Sequence, residues 1–296
     1  MIKKFLSSNV LKIIACVSMF FDHLGKILLL FYPEIEAVNI TSYVFSIIGR
    51  LSLPIFLFLI IEGYHNTKNI KKYFLRLEIM AVIVGAFLMI FSLIPSMHLS
   101  SILYKVGNIF IDLILFLLVL FLLDHKKTYI KCLVILPLAY FVLCIFVQNN
   151  MIPLSNITKS IFSGFLTQYS LVTPLTLVSY LIINYIYKRL AYKNVDEASI
   201  ELIDIKKVNL ELRTRSFAIA LAFVSLIMYL LTYSTINLNT DFAINTYFIL
   251  SALFIIEYNG KLGKSNKIIQ NAYYLFYPLH ISIIYLVIYL TTLIGG

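Results

Sequence analysis

Three ionisable side chains, Asp22, His23 and Lys26, fall within the seven residues FFDHLGK (20–26), inside an apolar run from Val10 to Tyr32. A charge at the centre of a bilayer costs about 2.5–3.5 kcal/mol on insertion scales, so such residues are functional candidates by default. On a helix Asp22 and Lys26 are i, i+4; they share a face and can neutralise each other as a plain ion pair. His23 points about 100° away, on a face with Met19 and Cys16 behind it. Nothing within its own helix partners it. Either it is a packed, hydrogen-bonded histidine, or it is a neutral imidazole available as a general base.

Two further stretches carry reactive groups. In IIGRLSLPIFLFLIIEGYHNTK (47–68), Arg50 cannot deprotonate, so it needs an anion; Asp22 or a substrate carboxylate or phosphate would serve. Pro54 lacks the N–H that would bond the Arg50 carbonyl. Glu62 and His65, at i, i+3, have the spacing of a bundle metal site. Such sites use two copies plus further carboxylates, and the chain holds one, so no metal is expected. In YYLFYPLHISIIYL (273–286), Pro278 disturbs the helix two residues before His280, and Tyr274 and Tyr277 flank it with hydroxyls. Glu257 and Asp112 are weaker candidates, each an interface cap or a bundle contact. There is no GxSxG, Walker loop, GxGxxG or HExxH, hence no hydrolase, nucleotide or zinc signature.

The elements that must hold these residues are membrane helices. Of 296 residues, 61% are hydrophobic and 13% charged, against about 45–50% and 25% in soluble domains. Mean hydropathy is +0.93. Continuous apolar runs exclude a β-barrel, whose strands alternate. The expected fold is all-α, a polytopic transmembrane bundle of about nine spans (8–10), one integral membrane domain over 1–296. The spans are placed at about 10–32, 43–62, 74–94, 103–123, 130–148, 161–187, 216–236, 243–257 and 272–294. Span six carries Gln168 and Pro174, and is expected to tilt, kink or begin as a re-entrant segment. The mixed-charge stretch 188–215 reads as a cytosolic connector between a six-span and a three-span part. MIKKFLSSN precedes a run too long for a signal peptide, so it begins a retained helix. Cys16, Cys132 and Cys144 read as small buried hydrophobes with no disulfide framework.

With the N-terminus in the cytoplasm, 20 of the 24 Lys and Arg residues fall on the cytoplasmic side. The net charge of +10 therefore sets topology and implies no nucleic acid partner. By this reading Arg50 and His23 lie at similar depth, about seven and nine residues from the outer ends of their spans. His280 lies about eight residues from the cytoplasmic end of the last span. The two histidines share a site only if their rings approach within about 10 Å, the span of one short acyl group held between hydrogen-bonding rings.

LKIIACVSMFFDHLGK, the Arg50 block extended to Leu77, and YYLFYPLHISIIYL resemble the TraX family. The matching patterns are DHxG, GRLxxPIFxFLxxEGxHxT and KYxLRL within residues 11–77, and a shorter block at 273–286. The family is identified with acetylation of the pilin N-terminus in conjugation. The resemblance implies an integral acyltransferase of the cell membrane, surrounded by membrane lipid, with acetyl-CoA as co-substrate. It also implies a shared polar set of Asp22, His23, Arg50, Glu62, His65 and His280, without fixing each role. Many members lie outside conjugation systems, so the acceptor is a peptide such as pilin, a surface glycan or a lipid-linked sugar.

The residues suit that chemistry. Acetyl transfer from a thioester needs a base to take the acceptor's proton, and His23 is the first candidate. The oxyanion needs a donor: Arg50, Lys26 or a Tyr hydroxyl. Lys71, Lys72 and Arg76, at a cytoplasmic edge, are placed to hold CoA phosphates. Two other classes compete. A transporter or flippase also uses intramembrane charges and kinked helices, although the chain shows no internal repeat. A non-enzymatic assembly protein would merely pack His23 and Arg50.

Overall fold

The computed structural model describes residues 4–92, 107–152, 154–155, 158, 162, 164–193, 205–236, 241–264 and 266–295. Its elements are helical. They are α1 (Ser8–Phe31), α2 (Glu36–Gly49), α3 (Ser52–Asn66), α4 (Ile70–Ser92), α5 (Ile109–Leu123), α6 (Thr128–Cys132), α7 (Ile135–Gln148), α8 (Val172–Tyr192), α9 (Ile205–Thr232), α10 (Phe242–Asn245), a 3₁₀ turn (Thr246–Leu250), α11 (Ser251–Ile256) and α12 (Lys267–Gly295). Each expected span overlies one of these helices or a consecutive set of them, in order. Among the described residues five runs are long and apolar enough to cross a membrane: Ser8–Phe31, Glu36–Asn66, Ile70–Ile90, Thr128–Gln148 and Ile205–Thr232. On α12, Leu279, Ile283, Leu286 and Val287 are exposed while Tyr277, His280 and Ile284 are buried. Polar inside and apolar outside is the arrangement of a helix facing lipid.

Several expected spans are interrupted, each at a nameable residue. Span two breaks between α2 and α3. Arg50 N and Leu51 N bond back three residues, to Ile47 O (3.1 Å) and Ile48 O (3.2 Å), and Ser52 Oγ donates to Gly49 O (2.8 Å). Pro54 then sits in the first turn of α3, where a missing N–H is harmless. Span five breaks at Leu133, where Leu136 N (3.0 Å) supplies the bond to its carbonyl that Pro137 cannot give. Span four starts late, at Ile109, because Asn108 caps it through Phe110 N (3.1 Å); residues 103–106 lie outside the described residues. Within span six, 164–171 is irregular and α8 begins at Val172. Of the expected connector, 194–204 lie outside the described residues; 188–192 continue α8 and 205–215 open α9. Cys132 is exposed, against expectation, because it ends the short helix α6 on which no residue is buried.

The chain divides into two compact units, Met1–Phe58 with Thr176–Thr235 and Asp241–Gly296, and Leu59–Leu175 with Ile236–Thr240. In the first, α1 packs against α2 and α12. The α2 face is a stripe of small residues, Ser42, Ser46 and Gly49, all buried. A Cβ on Gly49 would lie 2.3 Å from Asp22 Cβ, and one on Gly25 3.0 Å from Phe45 Cβ. Phe58, Tyr180, Phe217 and Tyr258 form an aromatic core with centroid separations of 5.4–5.8 Å.

The second unit is organised by buried polar groups. Asp112 accepts from Gln168 N (2.6 Å), Tyr169 N (3.2 Å) and Thr173 Oγ1 (2.8 Å). It thereby holds the irregular segment that leads into α8. Asn108 Nδ2 donates to Ala81 O (2.8 Å) and Gly164 O (2.9 Å), tying α4 to the same segment. Gln148 Nε2 donates to Thr167 O (2.6 Å). Non-helical backbone is tolerated in an apolar bundle only when its polar groups are met in this way.

The α1–α2 contact sets the first prediction. Gly49→Leu should destabilise the protein by about 1–3 kcal/mol through overpacking. Val44→Ala, on the exposed face of α2, should change stability by less than about 0.5 kcal/mol. Thermal unfolding in detergent reads both, and equal midpoints would refute the seam.

Candidate functional site

The sequence places Asp22 and His23 on different faces of α1, and the two faces meet different helices. Asp22 faces α2. Its Oδ2 accepts from Lys26 Nζ at 2.5 Å, and its Oδ1 lies 3.8 Å from Arg50 Nη2. Arg50 reaches it because the helix interruption makes it the residue that caps α2, one step past Gly49. Arg50 retains 7% side-chain exposure and Lys26 43%. The carboxylate thus joins one enclosed cation to one that is partly accessible.

His23 faces α12. Its Nδ1 lies 2.7 Å from His280 Nε2, and the rings stack with centroids 4.9 Å apart. Both side chains are buried. The expected difference in depth does not hold. Helix α12 begins at Lys267 rather than 272, so His280 lies about 20 Å along it, and His23 about 22 Å along α1, at 1.5 Å per residue. The helices start side by side, since Asn9 Nδ2 donates to Lys264 O (2.6 Å) and Tyr273 OH to Asn9 O (3.5 Å).

The hydrogen bonds assign the protons. His280 Nδ1 lies 2.5 Å from the Phe276 carbonyl. A carbonyl only accepts, so His280 Nδ1 carries the hydrogen and its Nε2 the lone pair. His23 Nδ1 must then donate to that lone pair. Neutral His23 is left with an unprotonated Nε2, which bonds nothing among the described residues. The Phe276 ring stacks on His280 at 4.5 Å, and Tyr277 meets His23 edge-on at 5.8 Å. The arrangement orients an imidazole base through a second imidazole and a backbone carbonyl.

The first unit therefore brings together Asp22, His23, Lys26, Arg50, Tyr277 and His280. The Tyr274 side chain lies outside the described residues. Glu62, His65, Lys71, Lys72 and Arg76 belong to the second unit. There Glu62 is buried, and His65, Lys71, Lys72 and Arg76 are exposed. His65 meets the neighbouring Tyr64 ring edge-on at 5.4 Å. Among the described residues no three His, Cys, Asp or Glu side chains group as metal ligands. Sequence reasoning missed Gly49, Ser52 and the Phe276 carbonyl. The spacing Ser42, Ser46, Gly49 was a readable signal for the first; a backbone acceptor leaves none.

The family model described as TraX protein matches residues 7–288. The chain belongs to the TraX family. The match reaches through the middle of the chain, beyond the blocks 11–77 and 273–286 that carry the visible resemblance, and both histidines fall within it. No curated protein and no solved structure matches the chain. This TraX-family member thus presents its site on its own geometry.

The buried charges predict unequal mutants. Asp22→Asn removes the anion beside enclosed Arg50 and should cost about 3–5 kcal/mol. Lys26→Ala removes a partly accessible cation and should cost no more than about 1 kcal/mol. Unfolding midpoints in detergent measure the difference; similar losses would show that Asp22 does not hold Arg50.

Proposed function

We propose that the protein is an acetyltransferase of the cell membrane, with its N-terminus cytoplasmic and about nine crossings. Acetyl-CoA is the donor and an amine or hydroxyl of a peptide, glycan or lipid-linked sugar is the acceptor. The observation that carries this reading is the oriented, unprotonated Nε2 of buried His23. A tautomer fixed through His280 and the Phe276 carbonyl is what a general base needs to present a lone pair to an acceptor.

In the reaction the acceptor nitrogen or oxygen attacks the thioester carbonyl carbon as His23 Nε2 takes its proton. The His23 imidazolium remains bonded through Nδ1–H to His280, much as a triad's third member steadies its histidine. The tetrahedral oxyanion forms in an apolar surround, where Lys26 or Arg50 supplies positive charge. Collapse breaks the C–S bond. The CoA thiolate leaves and recovers the proton from His23, giving the acetylated acceptor and CoA. Family membership supports the same reading, because TraX proteins are associated with pilin acetylation. The acceptor of this chain need not be pilin.

Purified protein with labelled acetyl-CoA tests the proposal. His23→Ala should lower turnover by about 10²–10⁴-fold. His280→Ala should lower it less, because the base survives without its orienting partner. Equal transfer or CoA release across wild type and both variants would sink the enzyme reading. Counterflow of an unmodified solute would favour a transporter.

A further inference from the structure

The shared start of α1 and α12 carries a feature the mechanism does not use. The segment NGKLGK (259–264) crosses the N-terminal end of α1, with Gly260 at φ +76° and Gly263 at φ +82°. These left-handed conformations suit glycine. Gly263 is also constrained by space, since a Cβ there would lie 2.3 Å from Ser7 Oγ. The segment is fixed to α1 by Ser8 N to Lys261 O (2.9 Å), Asn9 N to Leu262 O (3.1 Å) and Asn9 Nδ2 to Lys264 O (2.6 Å). Lys261 and Lys264 are both exposed on it. Half-buried Lys12 follows Asn9 by about one turn of α1, its ammonium 5.5 Å from the Tyr273 ring centroid. A second kind of observation accompanies the cations. Asn9 is buried, and its Oδ1 has no hydrogen-bond partner among the described residues.

Below this cluster runs a straight seam. Lys12, Cys16, Met19 and His23 fall at i, i+4, i+7 and i+11 on α1; Tyr273, Tyr277 and His280 fall at i, i+4 and i+7 on α12. Lys12 and His23 are separated by about 16 Å of helix rise. The chain between the diphosphate and the sulfur of CoA has the bond count of about four residues of extended backbone, or about 14 Å.

We infer that the phosphate-bearing end of the acyl-CoA donor binds at Lys12, Lys261 and Lys264 on the NGKLGK segment, with its pantetheine arm laid along the α1–α12 seam to His23. This rests on the acyltransferase reading and extends it by moving the donor site away from Lys71, Lys72 and Arg76. Asn9 Oδ1 is placed to accept from an N–H of the donor. Anionic lipid head groups offer the same phosphate chemistry and are the rival occupant.

The test compares acetyl-CoA with S-acetylpantetheine, which lacks the phosphates, using the full chain in detergent. Wild type should favour acetyl-CoA by more than about 10-fold in kcat/KM, the equivalent of about 1.4 kcal/mol. Lys12→Ala and the double variant Lys261→Ala/Lys264→Ala should each cut that preference severalfold, mainly through KM, and the corresponding Arg variants should keep it. Lys261→Gln/Lys264→Gln replaces the double Ala variant if that one fails to fold. Preference retained in the Ala or Gln variants, or lost instead in Lys71→Ala/Lys72→Ala, overturns the inference while the enzyme reading stands. Loss of the wild-type preference on adding phosphatidylglycerol, but not phosphatidylcholine, assigns the segment to lipid and also overturns it. A wild type that turns over neither donor defeats the acyltransferase reading and this inference with it.

Discussion

A carboxylate enclosed in an apolar bundle must be met by cations, and the arrangement of the first unit follows from meeting Asp22. Lys26 reaches it from the next turn of α1 at 2.5 Å. Arg50 reaches it from another helix, at 3.8 Å. That second approach demands three things at once: a backbone close enough to require Gly49, a helix that stops there, and a proline placed where stopping is harmless. Once Asp22 is committed to α2, its neighbour His23 is turned by the helical repeat toward α12. The catalytic candidate is oriented because the charge beside it is satisfied elsewhere.

The second unit solves a similar problem with neutral donors. Asp112 accepts from two backbone N–H groups and a threonine hydroxyl, with no cation among those three donors. Such groups are dipoles fixed by the fold, so the acid anchors irregular backbone and α8 follows from it. The two aspartates look equivalent as letters in apolar runs. One organises charges next to a histidine; the other organises an irregular segment that leads into a helix.

Much of this was legible in the residues. Order and approximate position of the helices followed from apolar runs, and the separation of Asp22 from His23 followed from 100° per residue. The family followed from DHxG and GRLxxP. What escaped was anything decided by a partner distant in sequence. The depth of His280 was misjudged because α12 starts five residues early, at a lysine that hydropathy assigns to a loop. The helix interruption at Arg50 was half visible, since Pro54 marks the lost bond but not the switch to three-residue spacing at Ile47 and Ile48. The late start of α8 depended on Asp112, 56 residues before Gln168, and no local pattern carries that.

His23 lies in the first helix and His280 in the last, 257 residues apart. A chain emerging from the ribosome therefore carries a histidine whose proton is unassigned until α12 has been made and packs on α1. The turn that aligns the two helices, 257–264, is made just before α12. A copy that stops short of α12 lacks the partner that fixes the His23 tautomer.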